Sequence, residues 1–470
     1  MKSTIAFLVL MGMLYLSAPA QVIEQDSLAL VAFYNSTGGP NWYDNSNWLT
    51  GPVSTWYGVT VEGERVTELI INSNNLAGVL PVEMGQLSAL KSLGMSNDQQ
   101  LTGEIPISLF QIPTLEWFGI GNCSLTGTIP NTIGNCFLLR SIGLWENSLT
   151  GPIPSEIGNL DSLRFLSLFD NQLTGPIPPE LGNCTNLLEL RLTLNNLSGG
   201  LPVELASLNN LNALNVSYNN LSGPIPDEFS YQMNYWFFYV NDNHFNYLPP
   251  FNSWYLLSGL KVENNELTFE HLESHIQAGY MWFDYSPQAD MLEEIDTALA
   301  PGSNYRIYSG TGGEFTNYQW YKNGELILES NEADTLYLTN VTEADSGVYY
   351  CQATNSLVSQ LTLYRNLVHI SIDTGANVIK YPVNKMLSVY PNPAYDEVKI
   401  ILPVNAKCYY LTISTLNGVP VLKQSYEHHD LSEMSLDVKK LEPGIYLLQI
   451  QTETKTYATK FIKNKRGINR

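Results

Sequence analysis

His271-Leu-Glu-Ser-His275 is the histidine pair best spaced to hold a zinc ion on one face of a helix. Zinc hydrolases of that pattern place their glutamate base directly after the first histidine, whereas Glu273 stands two residues on. The pair is therefore expected to be polar residues closing a larger element. His428-His429 is expected on a solvated hairpin, and neither G-x-S-x-G, G-x-x-x-x-G-K-[ST] nor G-x-G-x-x-G occurs. Five cysteines (Cys123, Cys136, Cys184, Cys351 and Cys408) form no recognisable disulfide framework. No catalytic residue, metal ligand or cofactor is assigned. The residues with chemistry to offer are aromatic and acidic side chains recurring at a fixed period: Trp117, Trp145 with Glu146, Phe169 with Asp170, Arg191, Tyr218, and Tyr239 with Asp242.

That period belongs to the elements that must position them. From Val66 to about Leu272 the chain repeats every 24 residues, with Leu101, Leu125, Leu149, Leu173, Leu197 and Leu221 evenly spaced. The motif is L-x-x-L-x-L-x-x-N-x-L-[ST]-G-x-[IL]-P, and about nine coils are expected. In L-x-L the leucines point inward from a short strand and the x residues outward. Asn147, Asn171, Asn195 and Asn219 follow the strand, where a buried amide can satisfy the backbone of neighbouring coils. Gly151, Gly175, Gly199 and Gly223 permit a turn that a β-carbon hinders, and Pro154, Pro178, Pro202 and Pro226 exclude regular helix. One coil cannot bury its own apolar edge, so stability requires stacking. Cys136 and Cys184 occupy one motif position two coils apart. Stacked strands would hold their α-carbons about 10 Å apart, beyond disulfide reach.

This motif resembles the leucine-rich repeats of the L-T-G-x-I-P subtype best known from plant receptors. The resemblance implies a curved solenoid of parallel strands with a short irregular or 3-10 convex side. Residues 21–65, with Trp42, Trp48 and Trp56, look like the matching N-terminal cap, though without the usual cysteine pair. The solenoid is expected over 66–275. Two all-β sandwiches should follow it. Over 287–372, Tyr318-Gln-Trp320 and Asp345-Ser-Gly-Val-Tyr349-Tyr-Cys351 resemble an immunoglobulin-like domain whose partner cysteine is missing near Ile307. After a linker at 373–385, residues 386–470 carry turns at Pro391-Asn392-Pro393, Asn417-Gly418 and Pro443-Gly444. This segment resembles the type A C-terminal sorting domain of the bacterial type IX secretion system. That resemblance implies passage across the outer membrane by the type IX machinery, removal of the domain, and attachment to surface lipopolysaccharide.

Residues 1–20 read as a secretory signal peptide: Lys2, an apolar run from Ile5 to Leu16, then Ala18-Pro-Ala20. No later stretch is long and apolar enough for a transmembrane helix, so none is expected in the mature chain. A formal charge of −22 in 470 residues argues against nucleic acid as a partner. Aromatic side chains recur where a solvated strand face should be polar, so the concave side of the solenoid is expected to bind a protein or polysaccharide ligand. The expected function is that of a secreted cell-surface adhesion or recognition protein, not an enzyme. The alternatives are a structural scaffold without a dedicated ligand and, less favoured, an exported hydrolase with a cryptic site.

Overall fold

The computed structural model describes residues 22–231, 236–251, 257–276, 278 and 280–373. Further on it describes residues 388–390, 394, 397–401, 408–415, 420–425, 433–442, 444–452 and 456–463. The signal segment, the linker beyond Asp373, the turns at 391–393 and 417–418, Pro443, the His428-His429 doublet and the tail after Lys463 lie outside the described residues. Two compact units result. The first takes in the chain to Met291 with residues 310–316 and 354–363; the second holds 292–309, 317–353 and the residues from 364 on.

In the first unit the 24-residue period becomes coils. Short strands such as Ser141–Gly143, Phe165–Ser167 and Glu189–Arg191 pair in parallel, residue for residue. They belong to an 11-stranded sheet whose first strand, Val59–Glu62, pairs antiparallel with Arg65–Asn72. The parallel run therefore has ten strands where the motif predicts about nine coils. The tenth, Trp282–Asp284, pairs with Gly259–Lys261 after the leucine motif has lapsed.

Inside, Leu163, Leu166, Leu168, Leu173, Ile177 and Leu181 are all buried and stack on their equivalents above and below. Each such burial is worth about 2 kcal/mol relative to exposure, which a polar substitution in the ladder would forfeit. The asparagines fulfil the role expected of them. Asn171 Nδ2 donates to the carbonyls of Leu144, Leu168 and Phe169 at 2.8, 3.2 and 3.3 Å, while its Oδ1 accepts from Leu149 N at 3.0 Å. Gln288 takes this role at the last rung, accepting from Asn265 N and Leu267 N and donating to Val262 O and Tyr285 O.

Beyond the asparagine, the L-[ST]-G segments make two further parallel sheets, of three and five strands, that the motif did not predict. Gln172–Gly175 pairs with Asn196–Gly199, and that strand with Asn220–Pro224. Gly151 closes one such strand at φ +76°, a conformation that favours glycine. Each proline then starts a 3-10 turn on the convex side, as in Ser155–Asn159 after Pro154, burying Ile157. A β-carbon on Gly158 would lie 2.3 Å from the Glu180 carbonyl of the next coil, so the spacing between coils demands glycine there.

The N-terminal end is closed by α1 (Glu24–Ser36) and a ring cluster. Trp48 lies 5.0 Å from Trp42 and 4.8 Å from Trp56, centroid to centroid, over Phe33 and Tyr34. Fully buried Asp26 accepts from Arg65 Nε and Nη2 at 3.0 Å and from Val66 N at 2.8 Å. At the other end α2 (Phe269–Ile276) buries Phe269, Leu272 and His275.

In the second unit and the segments bracketing it, the strands Thr316–Lys322 and Gly347–Asn355 share a sheet. Trp320 is fully buried, and Tyr349 donates its hydroxyl to Asp345 O at 2.7 Å, the corner that the D-x-G-x-Y-x-C motif predicts. Cys351 is a buried free thiol, and Ile307 is buried near the place of the missing partner cysteine. The last strands form one sheet of three and one of four around Val398, Ile400, Leu411, Ile413, Leu448 and Ile450.

Candidate functional site

In-register pairing sorts the outward residues of the solenoid into columns. One column runs Trp117, Ser141, Phe165, Glu189, Ala213 and Phe237, and the next runs Gly119, Gly143, Ser167, Arg191, Asn215 and Tyr239. Trp145 and Phe169 stand one step further along the chain, with near-parallel rings 6.3 Å apart. Trp117 is exposed, while Trp145, Phe169 and Tyr239 are half-buried and Arg191 is exposed.

Glu146, Asp170, Tyr218 and Asp242 differ from the other candidates. They are not on the strands but at the turn that ends each one, with φ of +51°, +56°, +52° and +54°. Non-glycine residues there carry strain on the order of 1 kcal/mol. Coil stacking sustains it: each backbone N–H bonds a carbonyl of the following coil, as Asp170 N does to Thr193 O at 2.9 Å. The motif shows where these residues fall but not that the backbone turns left-handed, so sequence reasoning placed floor and edge residues on one face.

The structure brings Phe169, Arg191 and Tyr239 together around a concavity of about 330 Å³, lined also by Glu189, Thr193, Ala213, Leu214, Asn215 and Phe237. Its cause is size: Ala213 sits between Glu189 and Phe237 in its column and leaves a gap. Arg191 is ion-paired with Glu189. The Thr193 and Ser217 hydroxyls are 2.7 Å apart, and Ser217 Oγ donates to Asn215 Oδ1 at 2.6 Å. Phe237 stacks on Trp282 at 6.3 Å. Lys261 Nζ lies 5.6 Å from the Tyr239 ring centroid and 3.0 Å from Asp284. Burial pushes the nearby Glu263 carboxyl up to about 7. Trp117, Trp145, Glu146, Asp170, Tyr218 and Asp242 do not line this concavity. Of the residues that do, Ala213, Asn215 and Thr193 escaped sequence reasoning, because a small or neutral side chain signals nothing until its column neighbours are known.

A larger groove of about 720 Å³ runs along the prolines, lined by Ile129, Pro152, Ile153, Pro154, Pro176 and Pro178 among others. No sequence candidate lies in it.

The remaining reactive residue types are otherwise engaged. Burial pushes the thiols of Cys136 and Cys184 up to about 11 and about 12, so neither is a thiolate near neutral pH. His271 and His275 both lie in α2, which closes the end of the solenoid as their position predicts, and both are drawn into packing there. His275 is buried in α2 with Nδ1 2.9 Å from the Tyr280 hydroxyl, and His271 Nδ1 lies 2.9 Å from Thr268 Oγ1. Among the described residues no three His, Cys, Asp or Glu side chains gather closely enough to hold a metal ion. No helix among them is long and apolar enough to cross a membrane.

Family models match three parts of the chain. The model described as Leucine Rich Repeat matches residues 114–136, 138–160, 162–184 and 210–231. That described as Immunoglobulin domain matches 306–369, and that described as Secretion system C-terminal sorting domain matches 388–464. The sorting domain marks a secreted surface protein. Over 127 residues the chain is 30% identical to the leucine-rich repeat protein FLOR 1 of Arabidopsis thaliana, which is 27% of this chain and 39% of that protein. The chain thus spans well under two thirds of that relative's length. Similar solved structures include the plant peptide hormone receptor RGFR1 in complex with RGF2. It is 27% identical with a TM-score of 0.43 over 47% of this chain and 36% of that one. A plant ice-binding protein is 23% identical with a TM-score of 0.49 over 59% of this chain and 90% of that one.

Proposed function

We propose that this secreted chain of leucine-rich repeats, an immunoglobulin-like domain and a C-terminal sorting domain is a non-enzymatic binding protein. Its concave solenoid face takes a protein or polysaccharide ligand. The type IX machinery exports it, the C-terminal domain is removed, and the remainder is held on the bacterial outer surface. The observation that carries the binding role is the placement of aromatic rings in the outward columns. Trp117 leaves 48% of its surface to solvent, and Phe169, Phe237 and Tyr239 wall a concavity of about 330 Å³. Rings held rigid by a stacked sheet lose little entropy on binding, which is why aromatic anchors dominate recognition surfaces. Glu146, Asp170 and Asp242 at the strand-ending turns add carboxylates along the edge of that face.

The triple substitution W145A/F169A/Y239A tests this reading on the full chain. Binding to host-protein and polysaccharide arrays should fall at least tenfold while circular dichroism stays that of the parent. Unchanged binding removes the concave face as the site.

A further inference from the structure

We infer that the N-terminal half of the concave face is built for a neutral polysaccharide, with one sugar ring seated over Gly119 between Trp117 and Trp145. This rests on the reading of the concave face as a binding surface and adds the ligand's class.

The floor comes first. Gly94, Gly119 and Gly143 are paired on three successive strands, so the middle column has no side chains for a width of about 10 Å. Part of this strip is roofed. A β-carbon on Gly143 would lie 2.3 Å from the Trp145 ring, and one on Gly121 would lie 2.1 Å from it. The indole therefore lies flat on the backbone, possible only because both positions are glycine. Gly119 is different: a β-carbon there meets nothing closer than the Gly143 carbonyl at 4.0 Å. The result is a slot with a backbone floor, Trp117 on one side and the flat Trp145 on the other. A flat ring with C–H faces and hydroxyl edges fits such a slot. The faces pack on indole, and the edges exchange hydrogen bonds with polar groups at the rim.

The rim is polar, and the charges bordering the strand starts are matched to one another, Lys91 with Glu62 and Arg140 with Glu116, leaving Glu146 as the carboxylate at the strand-ending turn beside Trp145. Asn122 Nδ2 donates to Asn97 Oδ1 at 2.9 Å, and Ser96 Oγ donates to Asn72 Oδ1 at 2.9 Å. These amides and hydroxyls form a rail along successive coils. In the outward columns from the strand Arg65–Asn72 to the strand Phe165–Ser167 the only charged side chain is Glu68. Its carboxylate already accepts from Thr60 Oγ1 at 2.9 Å. An anionic polymer would find no cation in these columns, and a basic peptide almost no carboxylate. Apart from Glu68, the charged side chains of the columns themselves, among them Glu189, Arg191 and Lys261, lie toward the other end. A neutral polyhydroxylated chain is the ligand class whose chemistry this half matches.

Gly119→Val is the decisive variant, because valine suits a strand and its β-carbon has room, while its bulk fills the slot. Native affinity electrophoresis of the full chain would use gels containing laminarin, galactomannan, xyloglucan or dextran, with alginate and poly-lysine as charged comparisons. At least one neutral polysaccharide should retard the protein, by an amount that changes less than twofold between 50 and 500 mM salt, an approximate bound for uncharged contacts. G119V and W117A should each weaken that retardation about tenfold or more, with G119V keeping the parental melting temperature. Three results overturn the inference: no neutral polysaccharide binds, G119V binds as the parent does, or only poly-lysine or alginate binds. If a protein partner is lost in W145A/F169A/Y239A while G119V and all the polysaccharides are without effect, the concave face remains a binding surface and the glycan assignment fails alone.

Discussion

The two ends of the solenoid solve one problem with different chemistry. Each must cover an apolar edge left open by the last coil. At the N-terminal end three tryptophans pack on α1, and the buried carboxylate of Asp26 is matched by Arg65 and Val66 N. At the C-terminal end, α2 buries His275 among the rings of Phe251, Tyr280 and Phe283, all within about 6 Å. Its outer carboxylates, Glu270 and Glu273, accept from backbone N–H groups of Gly312 and Glu314. One end is closed by a matched ion pair and rings, the other by a helix whose buried imidazole must stay neutral. The teaching is that an edge can be equally buried yet differ in its response to pH.

The largest effect should come from breaking the N-terminal ion pair. Asp26→Ala leaves Val66 N and the Arg65 guanidinium without their acceptor and should cost about 3 kcal/mol. Hydrogen exchange should locate the loss in α1 and the strand Arg65–Asn72; protection equal to the parent's would deny the pair its role.

Acid should act on the opposite end. Burial lowers His275 from 6.5 to about 4. The unfolded state therefore takes up a proton first, and stability falls as pH drops from about 6.5 through about 4, in total by about 3 kcal/mol. Amide exchange in α2 should accelerate over this window more than in α1, and His275→Phe should flatten the response. An α2 that stays equally protected at pH 4 and pH 7 would sink the comparison.

The smallest effect lies in the ladder joining the ends. Asp98 occupies an asparagine position, accepts from Asn74 N and Leu76 N at 2.9 Å through Oδ1, and leaves buried Oδ2 without a partner. Desolvation raises its pKa. Asp98→Asn would supply a donor like those of the other rungs and should stabilise the first unit by about 1 kcal/mol at pH 7 in urea unfolding. Destabilisation would mean that this rung has its own geometry, since Leu101 stands three residues after Asp98 where Leu173 stands two after Asn171.

Much of the fold is legible in the residues alone. Leu149, Leu173 and Leu197 announce the coil because stacking forces one side-chain type to recur at one spacing, and Asn171 announces the turn because its amide must serve four backbone groups. The Asp345 to Cys351 motif and the segment after residue 386 likewise speak for themselves. The site is less legible. Phe169, Arg191 and Tyr239 were readable as outward aromatics and charge. That Ala213 opens a gap beside them, or that Gly121 and Gly143 lay Trp145 flat, depends on which residue stands beside which across coils.

Periodicity is a one-dimensional property, so the chain's own order determined the repeat, the inward ladder and the succession of domains. Three things were settled only by tertiary structure: the left-handed turns at Glu146 and Asp170, the tenth strand at Trp282–Asp284, and the neutral His275. The first two arise from neighbours about a coil away, and His275 from Phe251 a coil back together with Tyr280 and Phe283; these carbonyls, pairing edges and desolvating rings are not in place until the chain has folded.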